Sequence, residues 1–283
     1  MTASELPVPP PEPLLAPVID SHCHLDITTE YSGLAPEAAL AAAAAVGVTG
    51  VVEVGVDLPS SQRAAVIAAE LPQVVAAVAL HPNEAPGVCR SGELEQQLSV
   101  LAELVQQPNV VAVGETGMDF YRTGESGRAD QETSFREHIA LARESGRTLV
   151  IHDRDAHAEV LRVLESSDPP DQVVFHCFSG DAEMARICSE AGWFLSFSGV
   201  VSFRNAAELR EALSIANPEQ ILVETDAPFL TPTPQRGKPN ASYLMPHTVR
   251  TMAEQLDLAE VEMCDLLTRN TQRAFNLPAG FAG

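Results

Sequence analysis

A single-domain (β/α)8 barrel is the fold this sequence predicts, and three observations predict it. Short, β-branched, almost wholly apolar runs recur from Val18 onward; each is followed by a longer stretch of helical spacing; and the unit repeats eight times. Strands that alternate with helices pair in parallel, and near-continuously apolar strands are those buried on both faces. A doubly wound open sheet is the alternative, disfavoured because no GxGxxG turn follows the first run.

The eight runs are VIDSHCHL (18–25), TGVVEVGV (49–56), VVAAVALH (74–81), NVVAVGET (109–116), RTLVIH (147–152), QVVFHC (172–177), GWFLSF (192–197) and QILVETD (220–226). The first opens on Val18 and Ile19 but then places Asp20, His22 and His24 at every second position, on one face of a strand. Helices are predicted over 36–46, 59–70, 93–106, 130–145, 155–166, 181–191 and 204–215. The stretch from Ala38 to Val52 is mostly alanine and too short for a bilayer span, so it reads as a helix, a turn at Gly47 and the start of a strand. After the last run come a loop (231–246) and two further helices (247–256 and 260–274). No internal repeat, Gly/Ser linker or shift of composition interrupts 18–278, which reads as one domain. Residues 1–17 are rich in proline, lack the basic and apolar regions of a signal peptide, and read as a flexible tail.

The chain has 283 residues, 45% of them hydrophobic, which is ample for a core. Its formal net charge of -22 should repel polyanions at large, so nucleic acid would need a local attraction. Five cysteines without a CxxC pair fit free thiols in a reducing compartment, and a cytoplasmic protein without membrane segment or obligate protein partner is expected.

Polar residues cluster where the runs end: His81, Glu115, His152, His176 and Asp226 join His22 and His24. In barrel enzymes that end of the strands is where chemistry is assembled. His22, His24, Glu115, His152, His176 and Asp226 would leave many buried polar groups short of partners without a cation. Six N/O ligands exceed the needs of one open catalytic zinc and suit two divalent ions that share a carboxylate, the arrangement used for in-line displacement at phosphorus. Lys238 is the sole lysine, so a carboxylated lysine cannot bridge from a barrel strand, and Glu115 is the natural bridge. Four imidazoles favour zinc, manganese or another transition ion, whereas Mg²⁺ prefers oxygen.

With these residues in place, the sequence resembles the TatD family of metal-dependent deoxyribonucleases. The resemblance rests on DSHCHLD (20–26), HP (81–82), GETGMDFYR (114–122), IHDRDA (151–156), FHCFSG (175–180) and ETDAPFLTP (224–232), in the family's order. It implies a TIM barrel that hydrolyses DNA phosphodiesters, often from a 3′ end. It also implies that His22, His24 and Asp226 hold the first ion, Glu115 bridges, and His152 with His176 holds the second. Asp226 is then also a candidate proton acceptor. Arg154 is a candidate phosphate ligand, His81 a substrate contact, and Glu224 an orienting or proton-relaying group.

Other polar residues carry weaker expectations. Asp20 is read as support for the ligands, and Asp119 and Tyr121 as loop residues that shape the site or merely turn the chain. His138, His157 and His247 are read as solvated, and Cys23 and Cys177 as packing residues. Two departures from the family pattern stand out: Asn83 where a second histidine often follows HP, and Ser242 in place of a proline. A binuclear hydrolase of another substrate, such as a small phosphoester, an amide or an aminoacyl-tRNA ester, is the competing reading. A metal-bound but inactive scaffold is a third.

Overall fold

The computed structural model describes residues 6–278 and 280–281. Eight strands, β1 (Val18–Cys23), β2 (Val48–Val54), β3 (Val74–Val78), β4 (Val110–Asp119), β5 (Thr148–Arg154), β6 (Val173–Phe175), β7 (Phe194–Phe197) and β8 (Ile221–Val223), lie in the order β1 to β8 in one sheet. The ladders are parallel, and Cys23 bridges in parallel to Ala227 just beyond β8. The fold is the (β/α)8 barrel that the sequence predicts.

The helices, in chain order, are α1 (Leu25–Ser32), α2 (Pro36–Ala45), α3 (Leu58–Glu70), α4 (Ala85–Ser91), α5 (Leu94–Leu104), α6 (Glu125–Ser145), α7 (His157–Glu165), α8 (Ala182–Glu190), α9 (Ala207–Ile215), α10 (Met245–Leu256) and α11 (Glu260–Ala274). The sequence reading did not anticipate α1 or α4, and α6 begins five residues before its predicted start at 130. None of these helices is long and apolar enough to cross a membrane. Chain contacts define two compact units, one made of Met1–Glu53, Gly180–Arg273 and Leu277–Gly283, the other of Val54–Ser179 and Ala274–Asn276.

The first unit buries Val18, Ile19, Leu195, Phe197 and Leu222 from its strands. Its α2 forms from an alanine run, the residue of highest helix propensity, behind Pro36 in the first turn, where a missing N–H costs nothing. Residues 6–17 are fastened to this unit. The Tyr243 hydroxyl donates to the carbonyl of Val8 (2.9 Å) and accepts from its N–H (3.2 Å), while Arg250 donates to the carbonyls of Glu12 (2.9 Å) and Pro13 (3.0 Å). Prolines already fix φ, so docking such a segment orders few additional torsions. Residues 1–5 of the predicted tail lie outside the described residues.

The second unit is organised by α6, whose buried stripe runs Gln131, Ser134, Phe135, His138, Ile139, Ala142 at three- and four-residue steps. At the start of α3, Asp57 accepts from the Ser60 N–H at 2.7 Å and closes a capping box. His138, expected in solvent, is fully buried instead. Its Nε2 accepts from the Leu80 N–H (3.1 Å) and its Nδ1 donates to the Ser134 carbonyl (2.7 Å), which ties α6 to the end of β3. Polarity alone put it in water; the helical stripe puts it inside.

Burial lowers the pKa of His138 from 6.5 to about 4. A histidine kept neutral in the folded protein but free to protonate when unfolded contributes its full stability above 6.5 and loses it as pH falls toward 4. The difference in unfolding free energy between wild type and His138→Gln should therefore shrink across that interval. Urea denaturation at half-unit pH steps reads this, and a constant difference would contradict it.

Candidate active site

In the first unit the ends of β1 and β8 are stitched together by two backbone hydrogen bonds, Asp226 N–H to the His22 carbonyl (2.9 Å) and His24 N–H to the Ala227 carbonyl (2.8 Å). That stitch brings three candidate ligands together. Asp226 Oδ1 lies 3.5 Å from His24 Nε2 and 3.9 Å from His22 Nε2, and the two imidazoles meet edge to face at 5.1 Å. Asp226 has φ +52°, an uncommon left-handed conformation for a residue with a side chain, tolerated best by Asn and Asp. The alternating pattern predicted His24 as a strand residue, but β1 ends at Cys23 and His24 is the residue from which α1 starts.

Two buried carboxylates stand behind this group. Asp20 accepts from the Thr225 hydroxyl (2.5 Å) and N–H (2.9 Å) and from the His22 N–H (3.3 Å). Burial nevertheless raises its pKa to about 7. Glu53, which the sequence reading passed over, accepts from the N–H groups of Leu25 (2.5 Å) and Asp26 (3.1 Å), the first residues of α1 beyond His24. A carboxylate suits a helix N-terminus, though burial raises the pKa of Glu53 to about 8. Its signal in the sequence is a lone acid in an apolar strand. Glu224, just past β8, is fully buried, and its N–H donates to the Phe197 carbonyl (3.2 Å).

In the second unit, Glu115 of β4, His152 of β5 and His176, the residue after β6, converge. Glu115 Oε2 lies 2.7 Å from His176 Nε2 and 3.1 Å from His152 Nδ1, and those two nitrogens are 3.1 Å apart. Glu115 sits at a bulge in β4, where the register with β5 shifts between Val113 and Thr116. The glycines of GETG make the approach possible: a Cβ at Gly117 would fall 2.2 Å from the His152 carbonyl oxygen, and Gly117 has φ +135°. Burial would raise the pKa of Glu115, but the imidazoles of His176, His81 and His152 outweigh it and hold the carboxyl well below its usual range.

His81 stands beside this group, its Nε2 3.9 Å from Glu115 Oε2. Its Nδ1 accepts the Asn83 N–H at 3.0 Å, which places the ring proton on Nε2. Burial lowers its pKa to about 3, so His81 is a neutral N–H donor. Arg154 ends β5 with its guanidinium 3.9 Å from the centre of the exposed Tyr121 ring. A stacked guanidinium keeps its edge donors available to an anion.

Asp119 is the buried last residue of β4, not a surface turn. Its Oδ2 lies 3.4 Å from His152 Nε2 and accepts from the Asn83 side chain (3.2 Å), while Oδ1 accepts the Arg122 N–H (2.8 Å). Asn83 is itself held by the Thr123 hydroxyl (3.2 Å), and Thr123 accepts from Gln131 of α6 (2.8 Å). The departure at Asn83 therefore supplies a clamp on the carboxylate behind His152. Nothing in the sequence marks Asn83, Thr123 and Gln131 as partners, because they come from two loops and a helix face.

The donor chemistry of both groups fits a divalent ion. Imidazole nitrogens facing one another and a carboxylate oxygen lack a proton for every contact, and donors 2.0–2.1 Å from one ion lie about 3 Å from each other. Support behind a ligating imidazole typically changes metal affinity 10–100-fold when removed. Asn83→Ala should accordingly weaken the affected divalent-ion site by roughly tenfold or more. Chelator-competition titration with Zn²⁺ measures this, and unchanged affinity would show the clamp to be idle.

A family model described as TatD related DNase matches residues 19–276. A metal-dependent hydrolase named TatD from Mycobacterium tuberculosis, of uncharacterized activity, is 46% identical over 264 residues, 92% of this chain and 98% of the relative. The YabD metal-dependent hydrolase of Bacillus subtilis is 34% identical over 261 residues, covering 92% of this chain and 99% of its own. Among solved structures, YJJV, a TatD homolog from Escherichia coli K12, is 27% identical with a TM-score of 0.81, covering 92% of this chain and 98% of that one.

Proposed function

Because this chain belongs to the TatD-related DNase family of metal-dependent hydrolases, we propose that it hydrolyses phosphodiester bonds of DNA, at single-stranded ends and in the 3′ to 5′ direction. The observation that carries the reading is the Glu115, His152, His176 group, whose donor atoms stand 2.7–3.1 Å apart. On this reading His22, His24 and Asp226 would hold one divalent ion and His152 and His176 a second, with Glu115 as the carboxylate that would serve both.

Zinc or manganese suits the imidazoles best, and magnesium is the competing choice. Two such ions supply Lewis acidity at phosphorus and acidify a water. The chain's own groups do the rest. Asp226 accepts the proton of the attacking water, and Glu224 orients Asp226 or passes that proton on. His81 offers its Nε2–H to a non-bridging oxygen as a neutral donor, in keeping with the Asn83 contact at its Nδ1. Arg154 takes a phosphate oxygen with its exposed edge while Tyr121 carries its face.

Metal analysis of the purified chain, coupled to hydrolysis of a 5′-labelled single-stranded oligonucleotide, tests the reading. A ladder shortening from the 3′ end is expected, and Glu115→Ala should lose both bound metal and turnover, the latter by about 10²-fold or more, as when a preorganised electrostatic group is removed. Full hydrolysis by that variant would sink the Glu115 assignment. Absence of any metal-dependent cleavage of nucleic acid by wild type would sink the substrate assignment.

A further inference from the structure

Tyr31, Tyr121 and Phe229 are the exposed aromatic residues among the described ones, and each follows a candidate ligand in the chain, His24, Glu115 and Asp226 respectively. Two of them meet in the first unit. The Tyr31 and Phe229 rings are 52% and 41% exposed, stand edge to face with centroids 5.5 Å apart, and form an open corner. Phe229 also meets the His24 imidazole edge to face at 6.3 Å. The corner is therefore continuous with the His22, His24, Asp226 group.

Both rings ride on segments that leave directly from proposed ligands, and both segments are fastened. Tyr31 lies on α1, which starts after His24 and is capped at its first two residues by Glu53. Phe229 lies in a turn closed by its own N–H to the Asp226 carbonyl (2.9 Å). The Asn240 side chain then donates to the carbonyls of Phe229 (2.6 Å) and Thr225 (2.9 Å). Rings held in place lose little freedom on binding, so a contact with them returns more of its free energy as affinity.

We propose that Tyr31 and Phe229 form a stacking ledge for one unpaired nucleobase, next to the nucleotide whose phosphate reaches the His22, His24, Asp226 group. The inference rests on the nuclease reading and deepens it. With a net charge of -22 the surface at large repels a polyanion, so affinity must draw on a contact that phosphate charge does not weaken. Stacking of bases on aromatic side chains is such a contact and tolerates any sequence. In a duplex the base faces are covered by their neighbours, so the corner selects an unpaired end.

The test compares wild type, Phe229→Leu, Tyr31→Ala and Phe229→Tyr, in the full chain with its metal content measured. The substrates are a 5′-labelled single-stranded oligonucleotide and the same strand with abasic residues at its 3′ end. Phe229→Leu and Tyr31→Ala should raise KM for the intact strand roughly tenfold, within the range for losing one stacked base, while Phe229→Tyr restores it. Wild type should suffer a similar penalty on the abasic strand, and the variants little further loss. Equal losses by a variant on both strands would show that the ring serves the scaffold rather than a base, and unchanged KM would remove the ledge outright. Should wild type cleave neither strand, the nuclease reading fails on its own. Fluorescence anisotropy of labelled oligothymidylate in Ca²⁺ then decides the ledge, which stands if binding weakens in Phe229→Leu and falls if it does not.

Discussion

The close approach of β5 to β4 at Gly114 and Gly117 is the constraint on which the second unit depends. A Cβ at Gly114 would fall 2.4 Å from that of Val150, and one at Gly117 would strike the His152 carbonyl. With both side chains absent, β4 bulges at Glu115 and delivers a buried carboxylate to the imidazole of His152 on β5 and to that of His176 just past β6. Everything behind those imidazoles is arranged to keep them there. Asp119 stands at the far nitrogen of His152, and Asn83, Thr123 and Gln131 hold Asp119. A polar cluster this buried is tolerable only when nearly every donor finds an acceptor, which is why loops and α6 both contribute to it.

The strands were legible because β-branched apolar runs leave few other structures open, and all eight were read within a few residues. The candidate ligands were legible because histidine and carboxylate at the ends of such runs are chemically out of place. What stayed hidden has a physical reason in each case. Leu25 and Thr28 are the residues α1 buries, too few to make a stripe, and α4 contains Pro86 and Gly87, which read as a turn. The start of α1 is instead fixed by Glu53, which accepts from its first two N–H groups. His138 reads as solvated from its polarity alone, whereas the buried stripe of α6 includes polar residues with specific partners, His138 and Gln131 among them.

The two units show the same construction with different parts. Each brings two imidazoles to one carboxylate, and each backs an imidazole-bearing strand with a buried aspartate: Asp20 in the first, reached by Thr225, and Asp119 in the second, reached by Asn83. The electrostatics differ. At Asp20 desolvation outweighs the hydrogen bonds from Thr225, Ser242 and His22 and raises its pKa to about 7. Asp119 faces His152, whose imidazole, with the Arg122 N–H, holds its carboxyl well below its usual range against the effect of burial. Burial likewise works against a proton on His152, but Asp119 and Glu115 overcome it and raise its pKa.

That difference bears on what each group offers a cation. A carboxylate already ionised by its neighbours, such as Glu115, need lose no proton to bind one, whereas His152, whose pKa Asp119 and Glu115 raise, would have to give up its own. A cation taken up by the second unit would therefore displace the His152 proton, and its binding should grow stronger as pH rises through the titration of that imidazole. In the first unit the candidate carboxylate, Asp226, is partly exposed, so an ion held there would meet more competition from water. Two ions bound by similar donor atoms would then differ in lability because of what stands behind the donors.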